Sequence, residues 1–296
     1  MQETFDQYKT KKVKCEIYHD NFQNSKRYNI PKAQLIIADI PYNLGINAYA
    51  SNPAWYVNGD NKSGESEKAG KAFFNTDHNF NIAEYMHFCS RMLIPEPKQP
   101  NKAPAMIVFC AFEQMQSVIE CGKKHGFQNS YPLFFVKNSS AQVLKANMKI
   151  VGATEHAIVL YRGKLPKFNN GRQFDEDGKA IRGTGKMVLN WMEWKKDGTH
   201  IPRLHPTQKP VNLLKKLIEI FTDEGDVVID PCCGSGSTLR AAKELNRDSY
   251  GFEIMKDIYH KAKTEMLDFD KSEFIDLYDL IASNDDDAES AKEPLS

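Results

Sequence analysis

The stretch VVIDPCCGSGSTL, residues 227–239, decides the fold. Val227, Val228 and Ile229 make a short apolar run that closes on Asp230. A tight turn with Gly234 and Gly236 follows, and then a helix-forming segment, STLRAAKEL. Strand, glycine turn and helix are the repeating unit of a parallel sheet, and the turn lies at its carboxyl edge, where ligands bind. The same alternation continues outward. On one side, HPTQKP (205–210) leads into VNLLKKLIEIF, where Leu213, Leu217 and Phe221 share one face and Leu214 and Ile218 another. On the other, SYGFEI (249–254) reads as a strand and DIYHKAKTEML (257–267) as a closing helix. Upstream, VKCEIYHD (13–20), QLIIAD (34–39), PAMIVFC (104–110), YPLFFVK (131–137) and EHAIVLYRG (155–163) read as strands. NIAEYMHFCSRML (81–93) and FEQMQSVIECGKKHG (112–126) read as helices. Strands alternating with helices predict an α/β fold with a parallel sheet. Residues 163–203 carry no long periodic run. The Asn-, Gly- and Ser-rich stretch 46–80 reads as a long functional loop.

With 41% hydrophobic and 26% charged residues, the composition is that of an ordinary soluble domain. The first residues, MQETFDQYKTKKVK, have no apolar core of a secretory signal, and no apolar run approaches the ~20 residues that span a bilayer. A cytoplasmic location without membrane contact is expected. None of the six cysteines forms a C-x-x-C pair, so no metal site is expected. The net charge of zero hides an asymmetry: residues 271–296 hold eight acids and two bases, whereas 137–203 hold thirteen bases and six acids. A basic middle can be a solvated face or a surface for phosphates.

Two loops carry chemistry. The turn at 230–236 lacks Gly-Lys-Ser/Thr and the third glycine of G-x-G-x-x-G, so it is neither a P-loop nor a dinucleotide fingerprint. Asp230 at its mouth would repel a pyrophosphate and suit a cationic amine. Glu253 ends the next strand, where an acid can grip ribose hydroxyls. An amine, a ribose and no pyrophosphate describe S-adenosylmethionine; an ordinary two-glycine turn is the plainer alternative. The second loop, LIIADIPYNLG (35–45), ends a buried strand on Asp39. Pro41 stiffens the turn and has no N–H, which leaves the Asp39 carboxylate and the Ile40 carbonyl as acceptors. Two acceptors suit an exocyclic NH₂, and Tyr42 offers a face on which a ring can stack. Asp39 as a turn cap with Tyr42 in the core is the alternative here.

These motifs together resemble the β-group of amino-methylating DNA methyltransferases, which modify adenine N6 or cytosine N4. Asp39-Ile40-Pro41-Tyr42 resembles the family's D/N/S-P-P-Y, DPCCGSGST its cofactor motif and HPTQKP the segment before that motif. FFVKN (134–138) and EHAIVLYR (155–162) resemble strands flanking its target-recognition region. The motif order matches too, over roughly residues 14–268. The resemblance implies a Rossmann-like methyltransferase sheet with helices on both faces, a circularly permuted motif order and an inserted target-recognition region. It divides the chain into a catalytic half (1–136, with mobile loop 46–80), a recognition region (137–203), a cofactor half (204–268) and an acidic, disordered tail (269–296).

Residue by residue, the resemblance implies that Asp39, Ile40, Pro41 and Tyr42 hold the target base. Asp230, Cys232, Gly234 and Gly236 would line the methionine part of S-adenosylmethionine, Glu253 its ribose and Asp20 its adenine. His205, Thr207 and Lys209 would close over its carboxylate, with Lys209 as the ion-pair partner or else an exposed lysine before a helix. Ile40 departs from the family's first proline, and Cys232-Cys233 replace an aromatic and a small residue. Trp191, Trp194, Arg172 and Arg182 are candidate readers of DNA, or core tryptophans and solvated arginines. The implied activity is methylation of adenine N6 in DNA by direct in-line attack after base flipping. Asp39 favours adenine, because Asp accompanies adenine in the family more often than Ser does. Cytosine N4, an RNA substrate and a catalytically inactive DNA-binding relative are the alternatives. DNA is the implied partner, and the family also admits a homodimer and a restriction endonuclease partner.

Overall fold

The computed structural model of the chain describes residues 13–42, 80–138, 143–145, 150–176, 179–205 and 207–269. The long loop read at 46–80, Phe80 apart, and the acidic tail beyond residue 269 lie outside the described residues.

Among the described residues one eight-stranded sheet organises the chain. Its strands are β1 (Cys15–Tyr18), β2 (Leu35–Asp39), β3 (Ala105–Phe109), β4 (Asn129–Lys137), β7 (Thr154–Tyr161), β8 (Trp191–Trp194), β9 (Val227–Asp230) and β10 (Asp248–Phe252). A separate two-stranded pair, β5 (Val143–Lys145) and β6 (Ile150–Val151), sits between β4 and β7 in sequence. The spatial order is β1-β10-β9-β2-β3-β7-β4-β8. The last third of the chain is thus inserted between the first two strands.

The five strands β1, β10, β9, β2 and β3 run parallel, in register through pairs such as Gly251↔Asp230 and Leu35↔Val228. Beyond β3 the expected parallel sheet is corrected: β7 runs antiparallel to both β3 and β4. Among the described residues no crossover helix joins β4 to β7, and a parallel pair would need such a crossover. Within 163–203, where no long periodic run is expected, the structure adds β8, a four-residue edge strand paired parallel to β4.

Alternate residues of β2 enter two separate cores. Leu35 and Ile37 pack with α3 (Val211–Phe221) and α4 (Ser237–Glu244), whereas Ile36 and Ala38 pack with α1 (Ile82–Met92) and α2 (Met115–Lys124). Helices therefore cover both faces, and the central strands are apolar on both sides, as a parallel sheet requires. Leu213, Leu214, Leu217, Ile218 and Phe221 are all buried. The last helix among the described residues, α5 (Lys256–Lys261), continues as a π-helical turn, Ala262–Met266.

Helix ends follow local chemistry. The Asn81 side chain accepts from the N–H groups of Ala83 and Glu84 to start α1. Pro210, with φ −62°, precedes α3, and the Asp197 carboxylate accepts from Val211 N–H and Asn212 N–H at 2.7 and 3.1 Å. Among the described residues, no helix is long and apolar enough to cross a membrane.

Candidate active site

Because β1, β10, β9 and β2 are parallel and adjacent, their carboxyl ends share one edge. That edge carries Asp39 on β2, Asp230 on β9 and Glu253 just past β10. A cavity of about 480 Å³ opens there. It is lined by Asp39, Ile40, Pro41 and Tyr42 from one turn, by Asp230, Cys232 and Gly234 from the next, and by Glu253, His205, Thr207 and Lys209. Segments from Asn21 to Ile258 meet in one pocket of a size suited to a small ligand.

Two residues expected at the site are not among its lining. The Asp20 carboxylate closes a local turn, accepting from Asn24 Nδ2 at 2.6 Å, Tyr28 Oη at 2.9 Å and Asn21 N–H at 2.8 Å. Its neighbours Asn21 and Phe22 do line the cavity. Gly236 begins α4 with φ +79°, and a Cβ there would meet Ala262 and Leu267 at 3.5–3.6 Å. It is a turn-and-packing glycine. Gly234 is the one facing open space: its φ is +50° and a Cβ would meet nothing within 4 Å.

On the β9 side, Asp230 is buried, and its Oδ1 accepts from Cys232 N–H at 3.0 Å. Burial raises its carboxyl to about 7, against the hydroxyl of Thr238 and the Cys232 N–H, which favour the anion. Among the described residues no lysine or arginine forms an ion pair with it. Glu253 Oε1 accepts from Met255 N–H at 2.6 Å, and burial raises its pKa too. Burial lifts the thiols of Cys232 and Cys233 well above their usual value, so both stay protonated and neither is a nucleophile.

On the β2 side, Ile40 explains how the chain does without the family's first proline. Its side chain is buried in the core and its N–H donates to the Phe109 carbonyl at 3.1 Å, fixing the turn by other means. Gln114 Nε2 donates to the Pro41 carbonyl at 2.9 Å. Asp39 is only partly accessible, and burial raises its pKa, opposed first by Lys209. The Lys209 ammonium donates to Asp39 Oδ2 at 2.5 Å. Lys209 is 8% exposed, so it is not a solvated lysine before a helix. The loop that presents it is self-braced: His205 Nδ1 lies 2.8 Å from Thr207 Oγ1, and Gln208 bonds Leu204 N–H and the Pro202 carbonyl.

Sequence reasoning missed Glu155 and Lys137. The Tyr42 hydroxyl donates to Glu155 Oε2 at 3.2 Å, and Lys137 Nζ to Glu155 Oε1 at 2.5 Å. An acid at the start of the otherwise apolar EHAIVLY was the available signal. Trp194 is half-buried with its ring 4.9 Å from Lys137 Nζ, while Trp191 is 49% exposed and Arg172 and Arg182 lie on the surface.

Known proteins resemble this chain in sequence and in fold. The chain is 53% identical over 58 residues to the type II methyltransferase M.HindIII of Haemophilus influenzae, 20% of this chain and 19% of that one. It is 45% identical over 168 residues to the putative methylase YubD of Escherichia coli K12, 56% of this chain and 63% of that one. These two alignments thus span less than two thirds of either relative. The type II methyltransferase M2.DpnII of Streptococcus pneumoniae is 24% identical over 257 residues, 84% and 88% of the two chains. Among solved structures, the M1.HpyAVI–SAM complex superposes with a TM-score of 0.58 at 22% identity, covering 86% of this chain and 99% of that one. The PvuII cytosine-N4-specific DNA methyltransferase gives 0.57 at 14%, covering 89% and 91%. Both show the fold. Residues 33–264 match the family described as DNA methylase, designated for N6 and N4 methyltransferases. The chain belongs to that N6/N4 DNA methylase family.

Proposed function

We propose that the protein is a DNA methyltransferase that moves a methyl group from S-adenosylmethionine to the exocyclic N6 of adenine. The observation that carries this reading is one cavity holding two unlike turns: Asp39 with Tyr42 on β2, and Asp230 with Gly234 on β9. The second turn fits the cofactor. It offers a buried carboxylate without an ion-pair partner among the described residues for a cationic amine, a glycine with open space for close approach, and Glu253 for ribose hydroxyls. Bound there, S-adenosylmethionine supplies an activated methyl on its sulfonium.

The chain's own task is positioning and electron supply. An exocyclic amine is a poor nucleophile because its lone pair is delocalised into the ring. Asp39 and the Ile40 carbonyl accept its two hydrogens, which favours a pyramidal nitrogen with a directed lone pair. Tyr42 holds the ring by stacking, worth ~1–3 kcal/mol. After in-line attack the nitrogen's surplus proton leaves to Asp39 or water. No covalent enzyme intermediate is needed, in keeping with protonated cysteines. Reaching a base in duplex DNA requires flipping it out, at a cost of a few kcal/mol. In this reading residues 1–136 form the catalytic half and 204–268 the cofactor half. The basic 137–203 region holds phosphates and reads sequence. The family also acts at cytosine N4, and Asp39 as first motif residue is the ground for preferring adenine. A homodimer and a restriction endonuclease partner fit the type II relatives.

The test is methylation of DNA with labelled cofactor, digestion to nucleosides and mass spectrometry. N6-methyladenine is expected. N4-methylcytosine would overturn the base assignment, and no methylation despite cofactor binding would overturn the activity.

A further inference from the structure

The family resemblance assigns Lys209 to the cofactor's carboxylate, yet its ammonium sits on the base side of the cavity. It bonds Asp39, 170 residues away in sequence, at 2.5 Å. Three rings surround it: the centroids of Phe109, Trp194 and Tyr42 lie 5.4, 5.7 and 5.8 Å from Nζ. These are distances at which a cation is attracted to aromatic faces. Glu155, which accepts from Tyr42 and Lys137, adds a second negative charge near the ammonium. The other Asp39 oxygen, Oδ1, is buried without a hydrogen-bond partner. Compensation of the Asp39 charge therefore falls first to Lys209, with a smaller hydrogen-bond contribution from Tyr42.

We propose that Lys209 is a positioning residue of the base site: its ammonium is the standing counter-ion of Asp39, held there by Glu155 and by the rings of Phe109, Trp194 and Tyr42. The proposal rests on the methyltransferase reading of Asp39 as acceptor for the base's amine. An acceptor must be ionised, because a protonated carboxyl presents a donor where the amine also donates. Burial alone drives Asp39 toward the protonated form. The groups around it are Lys209 before α3, Tyr42 after β2, Glu155 on β7, Asp230 on β9, Cys110 after β3 and Cys232 after β9. Lys209 alone among these six is a cation. Glu155 and Asp230 are acids and would push Asp39 toward protonation, so Lys209 offsets both burial and its acidic neighbours. Glu155 attracts the Lys209 ammonium at longer range, and its direct effect on Asp39 is to disfavour the anion.

The experiment compares wild type, Lys209→Met, Lys209→Arg and Glu155→Gln. Single-turnover methyl transfer is followed against pH, S-adenosylmethionine affinity is measured by calorimetry, and Asp39 is titrated by ¹³C carboxyl NMR in cofactor-free protein, assigned with Asp39→Asn. Lys209→Met should move the acid limb of the rate, and the Asp39 titration, up by about 1–3 pH units, the scale of a lost opposite charge. Its cofactor affinity should stay within a few-fold, and Lys209→Arg should restore the wild-type limb. Glu155→Gln should move the titration down. An unmoved titration in Lys209→Met, or a tenfold loss of cofactor affinity with an unmoved limb, overturns the proposal and returns Lys209 to the cofactor. Should Lys209→Met fail to fold, Lys209→Gln takes its place, and an unmoved Asp39 titration there overturns the proposal instead. Wild-type protein that methylates no DNA sinks the methyltransferase reading, while the NMR titration still decides the ion pair.

Discussion

At the end of β2 the Asp39 carboxylate has an ammonium at 2.5 Å, whereas at the end of β9, on the adjacent strand, Asp230 meets only neutral donors at hydrogen-bond distance. Asp230 is buried and Asp39 partly so, at the same sheet edge, and desolvation raises both pKa values. The β2 turn carries its own counter-ion. The β9 turn has no ion-pair partner among the described residues, the Lys209 charge reaching Asp230 only at longer range, and this leaves room for a cationic ligand. An internal cation suits a group that must accept hydrogen bonds from a neutral base, and an open anion suits a group that receives a cation.

The sharpest way to break the comparison is to remove the compensated carboxylate. Asp39→Ala should lower methyl transfer on the order of 10³-fold, the scale of losing a preorganised polar contact at a reacting group. S-adenosylmethionine affinity, read by calorimetry, should stay within a few-fold; loss of binding would merge the two turns into one site. Next come the glycines of the β9 turn. Gly234→Val and Gly236→Val both place a side chain at positive φ, a strain of roughly 1–2 kcal/mol each. Gly234→Val should lose cofactor binding as well, because its side chain enters open space beside the cavity. Gly236→Val should mainly lower the melting temperature, and equal affinities in the two variants would reject this division.

Asp230 gives a milder test. Its carboxyl titrates at about 7 in the folded protein, so below that pH it is protonated and unable to meet a cation. Cofactor affinity should rise about tenfold from pH 6 to pH 8. For stability the sign is opposite. The folded-state pKa lies above the unfolded value, so the native state holds the extra proton, and cofactor-free stability falls as pH rises from about 4 to about 7. Asp230→Asn should flatten both profiles in calorimetry and thermal melts; an unchanged slope would mean that Asp230 is not the titrating group. The smallest effect lies outside both turns. Removing exposed Arg172 or Arg182 should reduce the salt slope of DNA binding by about one each if each contacts a phosphate, with cofactor affinity unmoved.

The sequence made the strand–turn–helix units legible because each is local: an apolar run, an acid, glycines, then an amphipathic helix. It also brought Asp39, Asp230 and Glu253 to one edge, since parallel strands place their ends together. What it concealed depends on distance in the chain. Nothing near Lys209 indicates that its partner is Asp39, and Glu155 looked like the first residue of a strand. The strand WMEW is too short to show a period, and the antiparallel run of β7 goes with the lack of a crossover helix among the described residues between β4 and β7. Gly234 and Gly236 are alike in sequence, and only backbone geometry separates the one beside the cavity from the one packed against Ala262.

The insertion of the last third of the chain between β1 and β2 has a consequence for synthesis. Lys14 N–H bonds the Asp248 carboxylate, so the first strand waits for more than two hundred residues before its neighbour exists. Until β9 and β10 emerge from the ribosome, β2 has no partner on that flank and β1 has none at all. Unpaired edges of apolar strands recruit other chains, and such distant pairings form slowly. A nascent or truncated chain ending before residue 227 would therefore be both inactive and prone to aggregate, and overproduction would depend on chaperones that cover those edges until the sheet closes.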